Sequence, residues 1–152
     1  MFKFLFFIPL LCALSGAYAQ TCNPNTSDSA PAGRFTVNGD GTVTDSRTGL
    51  TWKRCLEGVD GRDCTTGTPT EFTWQAALRH AESQSDWRLP KIRELTSLVE
   101  ESCHGPAIDL TAFPNTPGSW VWSGSPYGSC PSFAWYVNFY YGYDYSGNRD
   151  YG

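Results

Sequence analysis

The chain has 152 residues, with eleven Lys and Arg against fifteen Asp and Glu and a net charge of −4. An acidic balance lacks the clustered cations that nucleic acid or an anionic membrane requires, and so excludes both as main partners. Once the leader described next is removed, roughly 130 residues remain, enough for one domain with one sizeable core.

The chain opens with MFKFLFFIPLLCALSGAYAQ. One Lys, an apolar run and the small-x-small sequence Ala17-Tyr18-Ala19 read as a signal peptide over residues 1–19, cleaved after Ala19. The apolar run is too short and wrongly flanked for a membrane span, and none is expected after cleavage. A secreted, periplasmic or cell-surface location follows, and with it disulfide bonds. Cys22, Cys55, Cys64, Cys103 and Cys130 remain in the exported chain. Cys55 and Cys64 flank a Gly- and Asp-rich loop and are expected to pair. Of the other three, one stays unpaired within the chain; Cys22–Cys103 is favoured, with Cys103–Cys130 as the alternative. There is no CxxC pair, and His80 and His104 lack ligand spacing, so no zinc site is expected.

Residues 20–33 are small, polar and Pro-containing, an exposed leader held only if Cys22 is bonded. From residue 34 to 152 the reading is a single domain. Short β-rich runs over 34–37, 42–45 and 49–53 alternate with NGDG and SRTG, predicting an antiparallel meander in which Gly39 and Gly41 supply positive φ. Asn38, Asp40 and Asp45 could offer oxygens to calcium, but the EF-hand pattern and its distal Glu are missing, and a plain turn is the stronger reading. A helix is expected after the N-cap Thr73, burying Trp74, Ala77, Leu78 and Ala81. A second has Pro90 at its first position and the stripe Ile92, Leu95, Leu98 and Val99, with Arg93, Glu94 and Glu100 facing solvent. Arg88 is expected to be buried and paired with Asp86. A Pro-rich connection follows over 105–119. WVWSG then reads as a short strand. FAWYVNF alternates, with Trp135, Val137 and Phe139 on one face and Ala134, Tyr136 and Asn138 on the other. The six Trp are expected mostly in the core, with one or two surface exceptions. Strands, then helices, then strands define an α+β domain, with two helices against twisted antiparallel sheets joined by long loops.

The segments NGDGTVTDSRTGLTWKRC, FTWQAALRHAE, SDWRLPKIRELTSLVEESC, PAIDLTAFPNTPGSWVWSGSPY and AWYVNF occur in an order that resembles one bacterial family. This is the C-terminal domain of collagen-like adhesins, the Lcl C-terminal domain. The resemblance covers about residues 34–140 and implies a C-type-lectin-like fold and an exported adhesion domain that trimerises and binds sulfated polysaccharide and host surfaces. The acidity of this chain weakens the carry-over of sulfated-polysaccharide binding. The family also continues into a strand of the form Tyr-Val-Arg-x-Val-Arg, so the domain is expected to lack its closing strand and to leave a sheet edge open.

Catalysis is not expected. Neither His sits in a nucleophile motif, His80 reads as an exposed helical residue, and a disulfide at Cys103 would quench a pairing with His104. No cofactor is implied. The Tyr-, Gly- and Asn-rich C-terminal stretch has too many aromatic rings for a disordered tail. Its composition is that of contact loops, where Tyr gives stiff amphipathic area and small residues let the chain adapt. Rings also stack on sugars while Asn and Asp bond hydroxyls. The expected ligand-binding face spans 123–152, centred on Tyr127, Tyr136, Tyr140, Tyr141, Tyr143, Asp144, Tyr145, Asn148 and Arg149. Its partner is a glycan or a surface protein; the alternative is an envelope assembly module packing on another chain, including a homo-oligomer.

Overall fold

A computed structural model describes residues 19–151. The signal peptide expected over 1–19 lies, as far as residue 18, outside the described residues. In chain order the elements are β1 (Thr21–Cys22), β2 (Phe35–Val37), β3 (Thr42–Asp45), β4 (Thr51–Lys53), β5 (Val59–Asp60), β6 (Thr66–Gly67), α1 (Trp74–Ser83), α2 (Ile92–Thr96), β7 (Cys103–His104), β8 (Trp120–Pro126), β9 (Phe133–Asn138) and β10 (Tyr143–Asn148). All pairings are antiparallel: β2-β3-β4, β10-β9-β8, and the two-stranded pairs β1-β7 and β5-β6. The domain is α+β, as expected.

The meander forms where the turns demand it. Gly41 takes φ +82°, which costs a glycine nothing. Gly39, expected to do the same, is not in that region. Asp40 Oδ1 accepts from Thr42 N and Thr42 Oγ1 at 3.1 and 2.7 Å, closing the turn on itself. Helix α1 starts as expected, with Thr73 Oγ1 accepting from Ala76 N at 3.3 Å. Trp74, Ala77 and Ala81 are buried, whereas Leu78 is only half-buried.

Helix α2 is shorter than its apolar stripe. Ile92, not Pro90, takes the first helical position; Lys91 is the N-cap, and Glu94 reaches back to accept from Lys91 N at 2.7 Å. Beyond Thr96, Leu98 N and Val99 N continue in single turns, to Leu95 O and Thr96 O. The stripe still reaches the core: Leu95, Leu98 and Val99 pack with Val43, Ile108, Phe113, Val137 and Phe139. Ser97 O is taken by Arg34 Nη2 at 2.7 Å, a part-buried bond that a continuing helix would contest.

Arg34 and Asp45 lock the base of this core. They are 4% and 0% exposed and join through two bonds of 3.0 and 2.8 Å. Thr48 Oγ1 and Arg47 N donate to the same carboxylate. Asp45 is therefore spent on the fold and is not an open cation ligand. Burial pushes its pKa upward, but these donors outweigh it and hold the carboxyl down from 3.8 to about 2.

Two further expectations change. Glu100 does not face solvent; it is 5% exposed and accepts from Ala30 N, Ser29 N and Ser102 N at 2.7, 3.1 and 2.9 Å. It ties the leader to the domain from within, beside the Cys22–Cys103 disulfide and the β1-β7 pair. Arg88 is not buried with Asp86. Its side chain is 59% exposed and forks onto Glu94 at 2.7 and 2.8 Å, because Glu94 is already fixed at the helix start. That pairing, opposed by partial burial, holds Glu94 down to about 2. Cys55–Cys64 is bonded, and Cys130 is a free thiol among the described residues.

Candidate functional site: an aromatic sheet face and a deep cleft

The sheet β10-β9-β8 carries a covered side and an open one. Val121, Val137 and Phe139 turn toward the core. Alternation then sends Trp120, Trp122, Tyr136 and Asn138 the other way. The register sets two rows across the three strands: Trp122–Tyr136–Tyr145 and Trp120–Asn138–Tyr143. Tyr136 sits at the centre. It stacks on Trp120 at 5.2 Å and 18°, lies tilted to Tyr145 at 6.0 Å, and meets Trp122 edge-on at 5.6 Å. Stacked and edge-to-face pairs are the favoured arrangements of aromatic quadrupoles, so the rows hold one another in place. Burial, and then the neighbouring Tyr145, raise the Tyr136 phenol above its ordinary 10.0.

The outer members of these rows are open to solvent: Trp120 is 67% exposed, Tyr143 62% and Tyr145 45%. Gly147 opens the far end, because a Cβ there would come within 2.9 Å of the Tyr136 ring. Trp122 is fixed from behind, its Nε1 donating to Phe72 O at 3.1 Å.

The nine residues expected on this face do not converge on one patch. Tyr136, Tyr143 and Tyr145 lie on the open side. Tyr140 and Tyr141 form an edge-on pair at 4.6 Å at the β9–β10 turn, both exposed. Asp144 pairs with Val137 in the register and points away from the rows. Tyr127 meets Trp135, which also belongs to the opposite side. Asn148 Oδ1 accepts from Asp150 N at 3.0 Å. Arg149 lies over the Trp74 ring at 4.2 Å and donates through Nε to Phe133 O at 3.0 Å, so it clamps β10 to α1. The face also takes in Trp120 and Trp122, two of the tryptophans that the sequence reading places mostly in the core. Their signal was in the sequence: i,i+2 spacing inside a strand puts both rings on one face.

The second feature is a cleft of about 710 Å³ between α1, β4 and its following loop, the 84–90 segment, α2 and the core side of the sheet. Trp52, Trp87, Ala81, Leu98, Val121 and Phe139 are among its walls. Its mouth carries a polar cluster. Lys53 Nζ bonds Glu57 and, at 2.5 Å, Gln84 Oε1. His80, expected exposed, is half-buried. Its Nε2 lies 2.9 Å from Glu57 Oε2 and 2.6 Å from Gln84 Nε2. One ring nitrogen serves one partner at a time, donating to Glu57 when protonated and accepting from Gln84 when not. Burial raises the Glu57 pKa, but Lys53 and His80 together bring it below 4.5. Among the described residues no group of three or more His, Cys, Asp or Glu could hold a metal.

A small α+β domain, held by two disulfides and presenting an exposed aromatic sheet face, is the class these features define. The Lcl C-terminal domain family matches residues 41–152, and the chain belongs to that family. Neither the curated proteins nor the solved structures gave a match.

Proposed function

We propose that this is an exported, C-type-lectin-like adhesion domain that binds a glycan through the open face of the β8-β9-β10 sheet. The observation that carries the reading is the row of exposed rings led by Trp120, held in register by Tyr136. Large rings kept in water by a rigid sheet cost the fold apolar surface that could have been buried, and such patches mark interaction sites. Planar rings match the apolar faces of pyranose sugars, and phenol groups reach their hydroxyls. Carbohydrate of low charge fits better than sulfated polysaccharide, given the acidic chain. The function is binding, without a catalytic step. Two disulfides fit an oxidising compartment, and among the described residues no helix is long and apolar enough to cross a membrane.

Affinity electrophoresis in gels containing neutral polysaccharides tests this. Retardation of the protein, lost in Trp120→Ala, supports the reading. Unretarded migration across a broad polysaccharide panel refutes it. A second reading rests on β10, which ends its sheet without a further strand among the described residues. An open edge flanked by Tyr143 and Tyr145 suits pairing with another chain. Concentration-dependent self-association, abolished by substitutions along β10, would favour that reading.

A further inference from the structure

We propose that the cleft between α1 and β4 is a separate binding site for a neutral, largely apolar small molecule that carries a hydrogen-bond acceptor, such as a ketone or ether oxygen. Its volume, about 710 Å³, falls within the roughly 300–1,000 Å³ of small-molecule sites. Its walls are aromatic and aliphatic, and apolar walls with a few polar groups are the usual make-up of such sites.

The charges select a neutral occupant. Lys53 is matched by Glu57, and Arg88 by Glu94. Arg54, also at the cleft, is spent on the backbone oxygens of Ala112 and Thr111 at 3.2 and 3.4 Å. No Lys or Arg among the described residues lining the cleft is left to recruit an anion, and the exposed Asp40 and Asp86 would repel one. The hydrogen-bonding groups select an acceptor. Trp52 lines the cleft, and its indole Nε1 is the one buried side-chain polar atom without a partner among the described residues. A buried donor with no acceptor is costly. A ligand oxygen that reaches Nε1 removes that cost. The site is independent of the aromatic face, which lies on the opposite side of the sheet.

Prodan, a neutral naphthyl ketone whose emission shifts to the blue on leaving water, is a suitable probe for the purified protein. The expected result is saturable binding of one dye per chain with a blue shift. Ala81→Phe, which fills the cleft from α1, should weaken it at least tenfold. Trp52→Phe, which keeps the ring and deletes the donor, should weaken it roughly three- to tenfold. Trp120→Ala should leave it unchanged. Near-ultraviolet circular dichroism confirms the fold of each variant; if Ala81→Phe does not fold, Trp52→Phe still decides. Absence of saturable binding, an unchanged affinity in Trp52→Phe, or loss of binding in Trp120→Ala overturns the proposal.

Discussion

Replacing Asp45 with Asn keeps the side chain's shape and removes its charge. Arg34 then stays buried with no counter-ion. Breaking a buried pair by removing one partner typically costs about 3–5 kcal/mol, because the remaining charge is left uncompensated. The carboxylate also carries a defined pH signature. Its pKa is depressed, from 3.8 to about 2. A depressed carboxyl stabilises the fold above its unfolded pKa, and that stability is lost as pH falls through the folded value. The difference corresponds to about 2 kcal/mol at neutral pH. Most of it should vanish between about pH 5 and pH 2. Urea unfolding of wild type and Asp45→Asn, followed by tryptophan fluorescence across that range, checks both numbers. The gap between the two proteins should be widest near pH 6 and shrink by about 2 kcal/mol toward pH 2. A variant that loses under about 1 kcal/mol, or a gap that stays constant with pH, would refute the claim that Arg34 and the Asp45 carboxylate lock the core.

Three further outcomes follow from other parts of the structure. The Cys22–Cys103 bridge spans 81 residues and Cys55–Cys64 only 9; in the chain-entropy account their removal costs about 4.5 and 2.6 kcal/mol, so Cys103→Ser should lower the thermal midpoint more than Cys64→Ser in calorimetry. Gly142 has φ +78°, and a Cβ there would lie 2.7 Å from Val99 Cγ1; Gly142→Ala should cost about 2–4 kcal/mol by chemical denaturation, and a neutral result would contradict the turn. Arg88→Ala should change stability by less than about 1 kcal/mol in the same assay, since an exposed pair is screened by water; a larger loss would restore the buried role expected from the sequence.

The local elements were legible because their causes are local. The Asn/Asp-Gly turns set the meander, and the Thr73 cap and 3.6-residue period set α1. Cys55–Cys64 is legible from its Gly- and Asp-rich loop, whereas for the other bridge the sequence favours Cys22–Cys103 and leaves Cys103–Cys130 open. What failed depended on partners distant in the chain. Glu100 looked like a solvated helix residue, but its acceptor role is satisfied by Ser29 and Ala30, some 70 residues earlier. Arg88 had two acids within reach, and only the start of α2 shows that Glu94 is the one held in place. The binding face was half legible. Strand alternation correctly set Tyr136 opposite Val137. The register that brings Trp120, Trp122, Tyr143 and Tyr145 around Tyr136 could not be read without the β8-β9-β10 pairing. The cleft, whose walls come from segments scattered between Asp40 and Phe139, has no sequence signal.

A glycan array probed with the protein, beside Trp120→Ala/Tyr145→Ala and Tyr127→Ala, most directly tests the central proposal. Tyr127 is the control, since it packs with Trp135 away from the open face. The account predicts binding to a restricted set of neutral glycans, at least tenfold weaker in the double variant, which corresponds to about 1.4 kcal/mol or more, and retained in Tyr127→Ala. Binding that survives the double variant, or is lost only in Tyr127→Ala, would contradict it.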